Sequence, residues 1–395
     1  MVSEHRAGRF VTQQVGPEGF AAFLPAPLPP SPPLQFTTGL QDRLESANRA
    51  LGRLDGVSLL LPSADLFLYA YVRKEAVLSS QIEGTQSSLS DLLLFENAEV
   101  PGVPLADVRE VSNYVAALDH GLARLRGGFP LSLRLLKEVH ARLLEGTRGS
   151  TMTPGEFRRS QNWIGGTRPG DAAYVPPPVH EVMAALGNLE RFLHDDPIRT
   201  PVLIKAGLAH AQFETIHPFL DGNGRLGRLL VTLLLCAEGA LQQPLLYLSL
   251  YLKTHRAAYY QSLQQIRTTG DWEQWLEFFL EGVEMVAAKA ADMTRRLLVL
   301  FERDRQRIQE ASGRGSVSAL RVHHLLTRKA IVSIPRAAGE TGLTQPTVTA
   351  ALGRLESLGI VCELTGRPRH RQFSYAEYFA LLDEGLTAPQ QPTHT

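Results

Sequence analysis

Within one segment, His217-Pro218-Phe219-Leu220-Asp221-Gly222-Asn223-Gly224-Arg225-Leu226-Gly227-Arg228, stand the groups that a reaction at phosphorus needs. Gly222, Asn223 and Gly224 predict a turn whose backbone can come close to a ligand, and the amides opening the helix behind it form an anion site. Phosphate suits that site best. Asp221 adds a hard oxygen ligand, the group that holds Mg²⁺ against phosphate oxygens. Arg225 and Arg228, at i and i+3 on the new helix, can turn both guanidinium forks the same way and clamp a polyphosphate. His217, with an ordinary pKa of about 6.5, is the nearby side chain suited to take a proton at neutral pH. Together these groups predict a phosphoryl- or nucleotidyl-transfer site. His210, one heptad earlier, falls on a similar helix face and reads as a core or supporting histidine.

Helices must position such a segment. Apolar residues recur at three- and four-residue spacing through Leu40, Leu44, Ala47, Leu51 and Leu54, and the same period predicts helices over 64–80, 85–96, 105–125, 131–146, 179–195, 201–215, 224–239, 254–268 and 271 to about 309. The exception is 156–178, where Gly165, Gly166, Gly170 and Pro176-Pro177-Pro178 surround Trp163, Ile164, Tyr174 and Val175, the signature of a Gly-turned hairpin. Seven prolines between residues 16 and 36 predict an extended arm, which Phe20, Phe23, Leu24, Leu28 and Leu34 should fasten to the folded body.

Ser312, Gly313, Gly315 and Ser316 form a small-residue joint suited to a domain boundary. Beyond it, a short helix and turn over Ile334 to Gly342, a helix capped by Thr344 and ended by Gly359, and strands at 360–363 and 371–375 around Gly366 predict a winged helix. Its second helix would offer Thr344, Gln345, Thr347, Thr349 and Arg354 to a groove, while Arg367, Arg369, His370 and Arg371 make the wing basic. DNA contact suits that pattern, and docking to protein stays open beside it.

The chain of 395 residues is 44% hydrophobic and 20% charged, which excludes a mostly disordered or fibrous protein. Forty basic and forty acidic side chains cancel, so no global field draws it to nucleic acid or membrane. Two cysteines, Cys236 and Cys362, are too few for a disulfide framework or zinc site and suit a reducing compartment. The longest apolar run, Leu229 to Ala237, is far short of a bilayer span, and no apolar stretch follows the first charges. A cytoplasmic protein is the expectation.

The segment 217–228 matches HxFx(D/E)GNGRxxR at every fixed position, so the chain resembles the Fic family. The match is set after Phe213-Glu214-Thr215-Ile216, and the resemblance spans about residues 15 to 300. It implies a mainly α fold, a Fic-type helical bundle with a β-hairpin flap, here followed by the winged-helix domain. The expected division is an N-terminal arm and helical region over 1–100, a catalytic core over 101–310 and the winged helix over 316–395.

By that resemblance the activity is AMPylation, transfer of AMP from ATP to a hydroxyl of a target protein. His217 would deprotonate a Ser, Thr or Tyr hydroxyl, Asp221 would hold Mg²⁺, and Gly222, Asn223 and Gly224 would cradle the α- and β-phosphates. Arg225 would hold the β-phosphate side and Arg228 the γ-phosphate. Phe219 would anchor the loop in the core. The hairpin 161–176, with Trp163, Ile164, Tyr174 and Val175, is similar to the family's flap, which aligns a target by strand pairing. Tyr259 and Tyr260 are candidate neighbours of the adenine.

Upstream, Ser79-Ser80-Gln81-Ile82-Glu83-Gly84 fits (S/T)xxxE(G/N), similar to the family's inhibitory helix. Ser79, Glu83 and Gly84 would carry it, with Glu83 pairing Arg228 and denying the γ-phosphate its clamp. The target can be the protein itself, a homodimer is compatible with this reading, and no membrane is expected. Against it stand a DNA-binding regulator whose Fic domain senses nucleotide, an enzyme that removes AMP through a Glu83-activated water, and a different phosphate donor.

Overall fold

In the computed structural model, which describes residues 4–15, 18–59, 65–96, 104–311, 315–366 and 371–384, strands come first. β1 (Glu4–His5), β2 (Gly8–Val15) and β3 (Glu18–Pro25) pair antiparallel in that order, where the proline count predicts an extended arm. Pro25 closes β3, opposite Gly8, and the dense run of prolines begins only at Pro27, so the ladder keeps its donors. The segment does fasten to the body, because Phe20, Phe23 and Leu28 are all buried. Beyond the ladder, the Phe23 amide donates to the Val175 carbonyl at 2.9 Å, laying β3 against the region of the expected flap.

Among the described residues the helices that follow are α1 (Thr38–Leu59), α2 (Asp65–Ile82), α3 (Leu89–Glu96), α4 (Leu105–Arg126), α5 (Leu133–Leu143), α6 (Val179–Leu193), α7 (Val202–Ile216), α8 (Asn223–Ala237), α9 (Ser249–Thr254), α10 (Arg256–Thr269) and α11 (Trp272–Glu310). The helix expected over 254–268 is broken at His255, whose backbone leaves the helical region, so α9 and α10 meet at a bend. Helix α7 has no solvent-facing side: Leu203 through Ile216 are all buried, Lys205, His210, Gln212 and Glu214 among them. It packs on α8, which is buried along most of its length. Around this pair α2, α4, α5, α6 and α11 close the core, with α1 lying along α11.

The expected hairpin over 156–178 is reduced to a single bridge between Ile164 and Tyr174, joined by a 3₁₀ turn at Pro169–Asp171. Glycines at 165 and 166 take φ of 70° and 72°, and a side chain at 166 would strike Asp171, so the turn is tight but the strands are short.

The C-terminal unit runs α12 (Ser316–Arg328), β4 (Ile331–Ser333), α13 (Ile334–Thr341), α14 (Gln345–Ser357), β5 (Val361–Glu363), β6 (Gln372–Tyr375) and α15 (Ala376–Asp383). The sequence predicts two strands here; β4 is a third, and the sheet order is β4-β6-β5. Thr344 caps α14 by accepting the Thr347 amide, and Gly359 follows its end with φ 67°. Thr344, Gln345 and Thr349 are exposed, whereas Arg354 is half-buried and turns back against Gly315 with a buried Nη1. Arg367, Arg369 and His370 lie outside the described residues, as do Ser312 and Gly313 of the joint. No helix among the described residues is long and apolar enough to cross a membrane.

If the N-terminal hairpin is part of the core, Phe23→Ala should destabilise the protein by about 3–5 kcal/mol, the usual cost of emptying a buried ring site. A denaturant titration checks this through a lowered midpoint at unchanged slope.

Candidate active site

Helices α7 and α8 are joined by the segment that carries the chemistry, and its backbone is unusual at both ends. His217 ends α7 with φ 47° and ψ 60°, a left-handed conformation that costs a non-glycine residue about 1–2 kcal/mol. Gly222 opens α8 with φ 75°. Between them Phe219 is fully buried, stacked on the His140 ring at 3.7 Å and beside Phe157 at 5.0 Å, so it anchors the loop as expected. Asn223 closes the loop: its Oδ1 accepts the Phe219 amide at 2.9 Å and its Nδ2 donates to the Phe219 carbonyl at 2.8 Å. The Asn223 side chain is therefore spent on shape, and what the segment offers an anion is the row of amides that begins α8.

Burial, then the Arg267 and Arg158 charges, push the His217 imidazole down to about 4, so its ring is neutral at pH 7. Its Nδ1 is buried, and the Glu214 backbone opposes part of that shift. Asp221 is half-exposed at the mouth of the loop, its Oδ1 accepting the Gly222 amide at 2.7 Å. Gly149 leaves it room, because a side chain there would overlap Asp221 Oδ2.

The two arginines are held by different helices and do not form the shared fork that their spacing suggests. Arg225 Nη1 reaches Glu110 on α4 at 3.2 Å and its Nη2 lies 3.5 Å from Asp221. Glu110 also takes Arg148 at 2.9 Å. Arg228 turns to α2: Nε donates to Ser79 Oγ at 2.8 Å, and Nη2 to the Ser79 carbonyl at 3.0 Å and Glu83 Oε1 at 2.7 Å. Burial opposes the charge on Glu83, but Arg228 outweighs it and holds the carboxyl below its ordinary range. A Cβ at position 224 would overlap Glu83 Oε1, so the glycine lets this carboxylate lie directly against the start of α8. Two more carboxyls, Glu75 and Glu214, are fully buried near Arg228, and burial raises both to about 7.

The models of the Fic/DOC family N-terminal region and of the Fic/DOC family match residues 41–123 and 130–235. Residues 130–235 are a Fic domain. It is 29% identical over 248 residues to Protein adenylyltransferase Fic of Aedes aegypti, covering 62% of this chain and 46% of that protein. A protein of the same name from Drosophila erecta is 29% identical over 207 residues, 51% of this chain and 38% of its own length. The Fic-domain chain thus spans less than half the length of these relatives. Its fold is that of a Fic family protein from Desulfovibrio desulfuricans G20, with a TM-score of 0.56 at 18% identity over 87% of this chain and 97% of that one. Fic-1 from C. elegans superposes with a TM-score of 0.50 at 22% identity, over 65% of this chain and 73% of that one.

The remaining sequence candidates divide. Trp163 and Ile164 are exposed on the flap. Tyr174 and Val175 are buried: the Tyr174 hydroxyl donates to the Thr215 carbonyl at 2.6 Å, and Val175 packs with Phe20 and Ala22, so neither is open to a target. Tyr259 is also buried, donating to His210 Nε2 at 2.9 Å, and packs rather than facing a ligand, whereas Tyr260 is 42% exposed. His210 is a supporting residue, its Nδ1 donating to the Gly227 carbonyl at 2.9 Å.

Four residues that the sequence reading did not single out shape the Fic loop: His140, Glu110, Arg158 and Asn162. His140 Nε2 donates to the Asp221 carbonyl at 2.9 Å while Nδ1 accepts the Gly155 amide at 2.8 Å, and burial pushes the ring down to about 4. Because the unfolded ring protonates near 6.5, the stabilisation it contributes is complete above that pH and is withdrawn as pH falls toward 4. At about pH 5.5, unfolding of the parent should therefore take up about one proton more than unfolding of His140→Gln, read from the slope of stability against pH.

Proposed function

We propose that this Fic-domain protein is a protein adenylyltransferase that moves AMP from ATP to a Ser, Thr or Tyr hydroxyl of a target protein. The observation that carries this reading is the single loop in which a neutral, partly open imidazole stands beside the amides of a helix N-terminus and two guanidinium groups. His217 Nε2 takes the proton of the incoming hydroxyl, the oxygen attacks the α-phosphorus, and the bond to the bridging oxygen breaks to release pyrophosphate. The amides of 223 to 225 donate to phosphate oxygens, and Arg225 and Arg228 offset the charge that gathers on the leaving group. The names of the curated relatives support the same chemistry.

Asp221 suits Mg²⁺ of the substrate-bridged kind, since one half-exposed carboxylate beside an anion site is what such an ion takes from protein. No group of three or more His, Cys, Asp or Glu side chains among the described residues forms a cage for it. When bound, the ion would neutralise phosphate charge.

Glu83 makes this site autoinhibited. Its carboxylate occupies the seat against Gly224 and the Nη2 of Arg228 that a γ-phosphate would use, so ATP must displace one anion with another. The C-terminal unit, with helix, turn, helix and a wing formed by β5 and β6, reads as a winged helix, and exposed Thr344, Gln345 and Thr349 suit contact with DNA.

His217→Ala should abolish transfer of label from α-labelled ATP while leaving ATP affinity within a few-fold, because the imidazole acts on the hydroxyl and the phosphates are held elsewhere. Transfer at the parent's rate would remove His217 as the base.

A further inference from the structure

Arg158 is 3% exposed, yet among the described residues no carboxylate pairs with it. Its partners are carbonyls. Nε donates to the His217 carbonyl at 3.0 Å, Nη1 to that of Ser160 at 3.3 Å and Nη2 to that of Pro177 at 2.6 Å. Its own amide donates to the Pro218 carbonyl at 2.8 Å. A cation kept out of water without a counter-ion is expensive, and burial pushes this one down to about 10. An apolar side chain of similar length would fill the space without that cost, so the bonds themselves are what the charge supplies.

Those bonds join three stretches of chain. One is the left-handed His217, whose carbonyl also receives Asn162 Nδ2 at 3.4 Å. The second is 158–162, which runs directly into Trp163 and Ile164 on the exposed arm of the flap. The third is Pro177, just past Tyr174 on the other arm, which pairs with Ile164 through bonds of 2.8 and 3.1 Å. One guanidinium therefore ties both arms of the flap to the backbone of the histidine.

We propose that Arg158 is a positioning residue that fixes the flap relative to His217, so that a hydroxyl on a segment seated along the flap arrives within reach of the ring. The proposal rests on the reading of His217 as the base of AMP transfer. It also accounts for the conformation of His217: a strained residue persists when its surroundings over-determine it, and two donors on one carbonyl do so. The charged groups that act on the ring are Arg267 from α10, Arg158 and Glu83 after α2; burial is the first reason it stays unprotonated, the two cations add to it and Glu83 opposes them.

The test uses the full chain with Arg158→Lys and Arg158→Gln. Amide hydrogen exchange at His217, Phe219 and Ile164 should rise together by at least about tenfold in both variants, because neither replacement can make all three bonds. NMR titration of the His217 ring should show its midpoint moving up in Arg158→Gln, which removes the charge, and much less in Arg158→Lys, which keeps it. With α-labelled ATP, kcat should fall at least about tenfold in both while KM for ATP changes by less than about threefold. Exchange that rises at His217 but not at Ile164, or at neither, overturns the proposal, as does a ring midpoint that ignores the Gln replacement. Absence of AMP transfer in both the parent and Glu83→Gly would overturn the functional reading instead, and the exchange and titration results would still decide on Arg158.

Discussion

The charge of Arg228 is buried at the start of α8, and much of the architecture around the Fic loop answers it. Three carboxyls stand near. Glu75 and Glu214 are so deeply buried that both are raised to about 7, which makes them poor counter-ions. Glu83 sits at the end of α2 with its side chain 36% exposed, and there the ion pair forms at 2.7 Å. The strongest contact to Arg228 is consequently also the one nearest water and easiest to open. Ser79, one turn earlier, fixes the direction of the guanidinium through its hydroxyl and its carbonyl, so that opening the pair would remove the carboxylate from Nη2 while Ser79 still holds both Nε and Nη2.

That arrangement requires α2 to be immobile, and its contacts are spread along its length. The Tyr71 hydroxyl donates to the Ala290 carbonyl on α11 at 2.9 Å, and Glu75 accepts the Ser249 amide at 3.1 Å as well as its hydroxyl. Farther toward its start, Arg73 and Tyr69 bind Glu96 at the end of α3, and the Glu96 carbonyl is taken by Arg336 of the C-terminal unit at 3.2 Å. The helix that carries Glu83 is thus gripped by the unit read as a winged helix. Tyr375 of that unit donates to the buried Asp304 of α11 at 2.9 Å, so the two contacts brace it against α3 and α11.

What the sequence could yield was what lies close together in it. The segment 217–228 carries its groups within one turn and two half-helices, and the periodic helices α1, α4 and α11 read clearly because a buried stripe repeats every three or four residues. The link from Glu83 to Arg228 followed only because a second short pattern stood beside a complete first one. The partners of the loop did not follow: His140, Glu110 and Arg158 act through carbonyls and charges on distant helices, and nothing in their neighbours announces it. The N-terminal strands were hidden by the prolines beyond them. Tyr174, Val175 and Tyr259 misled because an aromatic or β-branched side chain beside a site looks the same in sequence whether it faces the ligand or the core.

The central claim is that the Glu83 carboxylate holds the place a phosphate must take on Arg228. It is tested most directly by the rate of label transfer from saturating α-labelled ATP in Glu83→Gly, Arg228→Ala and the double variant. The account predicts that Glu83→Gly is at least about tenfold faster than the parent, equivalent to ~1.4 kcal/mol of lost inhibition, and that the double variant is no faster than Arg228→Ala alone. Equal rates for the parent and Glu83→Gly, with His217→Ala inactive in the same assay, would contradict it and leave 79–84 as an ordinary helix end.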